Sequence, residues 1–503
     1  MTQRAAGAER RPRSATSAAT GGGGTKRAPS AAMHGDTTTR ADTKGAVLLR
    51  KNYLSALENV AQSIGTMGPV ATIGTILPLL IYKSGNGTWL LFLCVMAAFF
   101  LISANINVFA SKMASAGSLS AFAERGLGKR AGSLTGWSYL VAMAFVITSS
   151  AISCAYYLVV VLSRGLGVHV GGLGEALITV GVVLAAWWPA HRDIKLSTKT
   201  MLAAESVSVL VILAILVSAM AGSHHWVDRA QLRLEGSGFP QMRLGFVLAF
   251  MTLAGFESAT ALGEEAKAAT STMPRVMMLC ILPTGLLFVV SIYCVTVFSH
   301  GLNLALDQTD APLDMIARSI GLPALGWASS LGIALSCYGC ALGGLNAGSR
   351  VVFSMARSRQ VPGCLEAIHP ANGTPHRALL LLSLVAAALP CALIGLGSSM
   401  ADAMDYLMQI ASLGFLGSYL VVCVAAPVHL ASRSKLRPAA LVVAVLSVAV
   451  IAAAFAMSLV PGAEGPWRYL PYVFALLLAT GMAVSSLSPA APAPGALAPE
   501  PAE

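Results

Sequence analysis

Glu257 stands in the run Ala254-Gly255-Phe256-Glu257-Ser258, a carboxylate among small residues in the middle of an apolar stretch. An ionisable group at bilayer depth is costly and faces a partner or a cavity. That makes Glu257 a candidate proton carrier, or a permanently hydrogen-bonded group that holds a break open. A second run, Ser63-Ile64-Gly65-Thr66-Met67-Gly68-Pro69 followed by Thr72 and Gly74, also breaks helical continuity. Glycine weakens a helix, and Pro69 removes a backbone donor and clashes with the preceding turn. Irregular backbone inside a bilayer is tolerated only where it is buried or lines a cavity. There, half-helix starts can hold an anionic group and freed carbonyls a cation.

The candidate binding surface is therefore backbone. It comprises Gly65, Thr66, Met67, Gly68, Pro69 and Thr72 in the first run, and Ala254, Gly255, Phe256, Glu257 and Ser258 in the second. Phe256 is read either as a gate over the site or as an apolar packing residue. Tyr338 is a further candidate to line the pathway. Glu205, with Ser208 nearby, is a second candidate for coupling, with structural pairing the alternative. Glu264 and Glu265 lie near Lys267 in sequence, and a salt bridge to Lys267 or Arg350 would close one end as an inner gate.

Other chemistry is poorly supported. The nine His are scattered, and neither HExxH, GxSxG nor GxxxxGK[ST] occurs, which argues against a metalloprotease, a serine hydrolase and an ATP-driven pump. No cofactor motif and no metal-ligand set is found. Most of the nine Cys fall in apolar runs and read as small hydrophobes; Cys337 and Cys340 form a CxxC without further ligands and read as helix packing.

The elements that position these residues follow from composition. Of 503 residues, 56% are apolar and 11% charged, and mean hydropathy is +0.71. Soluble domains carry about 25% charged residues, so a polytopic membrane protein is the class that survives. The net charge of +11 does not point to nucleic acid: residues 1–51 hold ten Lys/Arg against three acids, a basic tail suited to anionic headgroups. That tail is polar and Gly/Ser-rich, reads as disordered, and shows no signal-peptide pattern.

A spanning helix needs about 20 apolar residues, and twelve stretches qualify. They are 58–81, 88–108, 134–162, 173–190, 201–221, 244–262, 277–298, 325–349, 378–396, 406–426, 439–459 and 471–487. The domain therefore covers 51–487, flanked by disordered tails at 1–50 and 488–503. Twelve crossings put both tails on one side. With the tails cytoplasmic, inner segments hold 26 Lys/Arg and outer ones 7, as the positive-inside rule requires in the cytoplasmic membrane. The broken stretches are the first and the sixth. This implies a five-plus-five inverted repeat, about 54–221 and 244–426, with two extra helices at 439–487 and the site at the midplane. Residues 310–321 read as a short outer helix, with Asp310 at its N-cap, Pro312 in its first turn and Gly321 as its stop. Gly339/Gly343 and Gly344/Gly348 read as two close-packing GxxxG spacings.

Three stretches resemble the amino acid–polyamine–organocation permeases. They are Ser115-Ala116-Gly117-Ser118-Leu119 through Gly126 and Gly128 to Gly136-Trp137; Gly255-Phe256-Glu257-Ser258-Ala259 with Gly263-Glu264-Glu265-Ala266-Lys267 and Pro274-Arg275; and Asn346-Ala347-Gly348-Ser349-Arg350 to Met355-Ala356-Arg357 and Pro362. Order and spacing match over about 50–430. The chain departs from the family's Gly-Ser-Gly-like first motif, having Gly68-Pro69-Val70-Ala71-Thr72, and lacks the Asn-Pro pair after the sixth span. The fifth span also lacks the Lys that related proton-coupled members can carry there.

The resemblance implies secondary transport of an amino acid or related amine, by proton-coupled import with alternating access. Amides of the first break would hold a carboxylate and carbonyls of the second an ammonium. An exchanger, or a transport-like sensor without flux, is the alternative. The implied partners are the small-molecule solute, protons or another coupling ion, and the lipid bilayer, without nucleic acid and with the oligomeric state open.

Overall fold

The computed structural model describes residues 49–222, 226–302, 312–459 and 465–487. In chain order its α-helices are α1 (Ala56–Met67), α2 (Pro69–Thr75), α3 (Leu77–Ser84), α4 (Thr88–Ala110), α5 (Leu119–Leu127) and α6 (Lys129–Leu166). Then come α7 (Gly172–Arg192), α8 (Ile194–Gly222), α9 (Arg229–Leu232), α10 (Phe239–Met251), α11 (Ala269–Leu302) and α12 (Pro312–Ser319). The last are α13 (Pro323–Arg357), α14 (His376–Gly395), α15 (Met400–Ser432), α16 (Pro438–Ser458) and α17 (Leu470–Leu487). Among the described residues the fold is all-helical, apart from one parallel β-bridge between Leu54 and Ala266.

Ten of these helices are long and apolar enough to cross a membrane: α4, α6, α7, α8, α11 and α13 to α17. They coincide with ten of the twelve expected stretches. The expected first and sixth are instead divided, into α1–α3 and into α10 followed by turns and a 3-10 segment at Ser258–Leu262. Several helices overrun their expected ends. α11 begins at Ala269 rather than near Met277, because helical hydrogen bonding continues through Thr270-Ser271-Thr272 where hydropathy has already fallen.

Local chemistry explains both divisions. Gly68 adopts φ +55°, ψ +61°, a left-handed conformation that costs glycine little, and its N–H returns to the Ile64 carbonyl at 3.0 Å to end α1. Pro69 then opens α2, where a missing N–H matters least. In the other division Gly255 takes φ +96°.

α13 is the central post. It packs on α1, α2, α6, α7, α8, α12 and α14. Its glycines admit that crowding: a Cβ at Gly343 would strike Thr66 of α1 and Met201 of α8, one at Gly344 would lie 2.6 Å from Ile147, and one at Gly348 2.9 Å from Leu382. Gly339 departs from the expected packing role, since a Cβ there would meet nothing within 4 Å although the residue is buried. α12 occupies Pro312–Ser319 within the expected short helix; Asp310 lies outside the described residues.

α15 approaches α6 just as closely at Gly414, where a Cβ would lie 2.7 Å from the Ala142 nitrogen and from the Ser138 carbonyl. Backbone cannot yield as a side-chain tip can. Gly414→Ala is therefore expected to cost about 1–3 kcal/mol, read as a lower thermal unfolding temperature in detergent. Gly181→Ala in α7, where a Cβ meets nothing, should leave stability unchanged or raise it by up to about 1 kcal/mol.

Candidate functional site

The two interrupted segments touch. The Ser63 hydroxyl of α1 donates to the Phe256 carbonyl at 2.7 Å and accepts from the Ala259 N–H at 3.3 Å. The Ser258 hydroxyl donates to Thr66 Oγ1 at 3.0 Å, and that hydroxyl donates to the Gln62 carbonyl at 2.8 Å. Gly255 sits so near Thr66 that a Cβ would lie 3.1 Å from Thr66 Cγ2. Gln62 Nε2 continues the network to the Gly343 carbonyl at 2.8 Å, while Asn346 Nδ2 donates to Gln62 Oε1 at 3.1 Å and to Ser197 Oγ of α8 at 2.7 Å.

Side chains satisfy the backbone that the first division frees. The Val70 N–H donates to Glu205 Oε1 at 3.1 Å, and the Ala71 N–H to Ser336 Oγ at 3.0 Å. The Cys340 thiol donates to the Thr66 carbonyl at 2.9 Å, so this cysteine does more than pack. Two amides within the expected anion-holding stretch thus already have acceptors in the protein. Glu205 is 3% exposed, and its Oε2 has no hydrogen-bond partner among the described residues. Ser208, one turn on, donates to the Ala204 and Gly332 carbonyls, tying α8 to α13.

The second division has its own clasp. The Tyr419 hydroxyl of α15 donates to Glu257 Oε2 at 2.6 Å and accepts from the Gly255 N–H at 3.2 Å. Glu257 is fully buried, and its Oε1 has no hydrogen-bond partner among the described residues. Phe256 is also fully buried, edge-on to Phe99 at 5.4 Å between ring centroids and tilted against Tyr419 at 6.0 Å. Of the two readings of Phe256, the structure places it in aromatic packing. Carbonyls expected to hold a cation are partly engaged: Phe256 accepts from Ser63, Gly255 from the Ser258 N–H, and Glu257 from the Thr260 N–H.

Tyr338 lies apart from this centre. Its hydroxyl donates to the Ala185 carbonyl of α7 at 3.0 Å, beside an apolar cleft of about 320 Å³ lined by Cys154, Val182 and Leu331.

Ion pairs lie at both ends of α13. At its C-terminal end Arg350 and Glu265, each 1% exposed, form a two-pronged pair at 2.5 and 3.1 Å, and Arg357 pairs with Glu264. Lys267 serves through its backbone, donating to the Leu54 carbonyl at 2.8 Å. The Tyr53 and Leu54 amides both donate to the Glu265 carbonyl, and Arg50 and the Tyr53 hydroxyl reach Asp193 at 2.9 and 3.0 Å. Burial, then the bond to Asp193, raises the Tyr53 pKa. At the opposite end Asp314 of α12 receives Arg164 at 3.0 Å and Arg318 at 2.8 Å; that bond raises the Arg318 pKa. No metal-ligand cluster occurs among the described residues, and all nine cysteines are free thiols.

Sequence reasoning missed Ser63, Cys340 and Asn346 as contact residues, and Gln62, Ser336 and Tyr419 altogether. A signal existed for two of them: Ser336, Cys340 and Gly343 recur at the spacing of one helix face.

Residues 59–480 match the amino acid permease family. The chain belongs to that family. Among its relatives are an uncharacterized transporter of Mycobacterium tuberculosis (strain ATCC 25618 / H37Rv), 28% identical over 253 residues, which are 50% of this chain and 56% of that protein. Another is the branched-chain amino acid permease BcaP of Bacillus subtilis (strain 168), 23% identical over 68% of this chain and 73% of the relative. A third is the methylthioribose transporter of the same strain, 21% identical over 66% of this chain and 70% of its own length. These family members carry transporter names, not enzyme names. The match thus spans little more than half of the first relative.

The buried pair generates a prediction for this amino acid permease family member. Removing one partner strands the other charge, so Arg350→Met should cost about 3–5 kcal/mol. Glu265→Gln with Arg350→Met together should recover much of that loss. Thermal unfolding of both variants in detergent checks the expectation, and an additive double variant refutes it.

Proposed function

We propose that the chain is a secondary transporter that moves an amino acid or related amine by alternating access, as proton-coupled import across the cytoplasmic membrane. One observation carries the reading: within a chain of this family, the two interrupted segments meet through Ser63, Thr66, Gly255 and Ser258. Such segments can exchange partners without leaving a polar group bare. A solute that replaces a hydroxyl or thiol bond with its own keeps the count of hydrogen bonds, and the net difference per bond is only about 0.5–1.5 kcal/mol. The name of the BcaP relative supports an amino acid as solute.

In this reading the termini are cytoplasmic, twelve crossings form the five-plus-five inverted repeat with two further helices, and Glu257 carries the proton. The Arg350–Glu265 and Arg357–Glu264 pairs form the inner closure, and Asp314 with Arg164 the outer one. An exchanger shares this architecture and differs in requiring solute on both sides.

Uptake into proteoliposomes tests the proposal with labelled amino acids and polyamines, with and without an inward proton gradient. Gradient-driven accumulation of an amino acid is expected. Glu257→Gln should lower it by about tenfold or more, equivalent to about 1.4 kcal/mol, while leaving counterflow measurable. Accumulation that persists in Glu257→Gln removes Glu257 as carrier. Gradient-independent exchange replaces symport, and binding without flux replaces transport by sensing.

A further inference from the structure

Glu205 presents an incomplete interaction. It is buried to 3% exposure, one oxygen takes the Val70 N–H, and the other is without a hydrogen-bond partner among the described residues. An ionised carboxylate so enclosed is costly unless a positive group completes it.

There is room for such a group. α8 and α13 run antiparallel in contact, with Ser208 bonded to Gly332 near one end and Ser197 bonded to Asn346 near the other. Glu205 lies between Ser197 and Ser208, and Gly339 lies midway between Gly332 and Asn346. Interpolated between those two bonds, Glu205 falls level with Ser336, one turn before Gly339, and a helical Cβ tilts toward the helix N-terminus, here toward Ser336. Gly339 is buried, yet a Cβ on it would meet nothing within 4 Å, unlike Gly343 and Gly344 on the same helix. Ser336, one turn from Gly339, holds the Ala71 amide beside the Val70 amide that Glu205 holds. An unsatisfied acidic oxygen, a buried opening and the first division thus lie within about one helical turn of one another.

We propose that Glu205 and the opening at Gly339 form a cation subsite that takes the ammonium group of the solute. This rests on the transport reading and makes it narrower. The ammonium is recognised by a full charge in α8, and the engaged carbonyls around Phe256 are not required for it. The same chemistry can come from a zwitterionic amino acid or from an amine without a carboxylate.

The test uses the full-length protein purified in detergent, with ligand-induced thermal stabilisation as readout, and the same ligands as competitors of uptake in proteoliposomes. Three matched pairs serve as probes: glycine and methylamine, leucine and isoamylamine, lysine and cadaverine. Isocaproate, which is leucine without its nitrogen, is the control. At least one ammonium compound should stabilise the wild type and isocaproate should not. Glu205→Gln should weaken that ligand's apparent affinity by about tenfold or more, about 1.4 kcal/mol. Gly339→Val fills the opening while leaving Glu205 in place, and should weaken it similarly even if Glu205→Gln fails to fold.

Stabilisation by amino acids alone assigns the ammonium to a zwitterion; stabilisation by their amines as well shows that the ammonium suffices without a carboxylate. Apparent affinities within about twofold of wild type in either variant overturn the subsite, as does stabilisation by isocaproate or by none of the panel. A wild type that binds these ligands at Glu205 but moves none of them overturns transport and leaves the subsite standing.

Discussion

Hydrocarbon offers no water to an exposed amide, so every interruption of a buried helix must be met by groups the protein supplies. The rest of this structure depends on that constraint. At the first division Glu205, Ser336 and Cys340 hold Val70, Ala71 and Thr66; at the second Tyr419 and Ser63 hold Gly255, Phe256 and Ala259. These partners come from α8, α13, α15 and α1. Each division is thus propped by helices remote in sequence, and can persist only while those helices keep their positions.

That requirement explains the crowding around α13. To deliver Ser336 and Cys340 to the first division, α13 must lie close to α1 and α8, and glycine at 343 permits it. The same helix ends in the Arg350–Glu265 pair, and its other end meets Asp314 at Gly326. One rigid element therefore connects the centre to the ion pairs at both of its ends. Tyr419 plays the corresponding part for α15, joining Glu257 to the Gly255 amide through one hydroxyl.

Much of this was legible in the sequence because lipid imposes coarse rules. Hydropathy marked the ten long helices, and a Gly/Pro cluster in one stretch and a carboxylate among small residues in the other marked the two that are divided. Which residues of the first stretch unwind was left open by its several glycines, and the division falls at the Gly68-Pro69 pair. The partners of the freed backbone were not legible. Glu205 drew notice only as a buried acid, since nothing in its neighbourhood indicates that its acceptor serves an amide 135 residues away. Cys340 read as an apolar filler, because a thiol in an apolar run gives no sign of the carbonyl it faces. Phe256 and Tyr338 were ambiguous for a related reason: an aromatic ring is equally at home beside a pathway and within a core. The direction in which each points depends on helix rotation, which spacing leaves loosely specified.

The parallel bridge at Leu54 and Ala266 has a mechanical meaning. Three backbone bonds link Tyr53 and Leu54 to Glu265 and Lys267, so the strand entering α1 is spliced to the strand leaving the 3-10 segment. Any swing of α1 at that end must drag the Glu265 carbonyl with it or unzip the splice first. The first and sixth stretches are therefore geared together at their rims as well as at their centres, and a tug on either is felt by both.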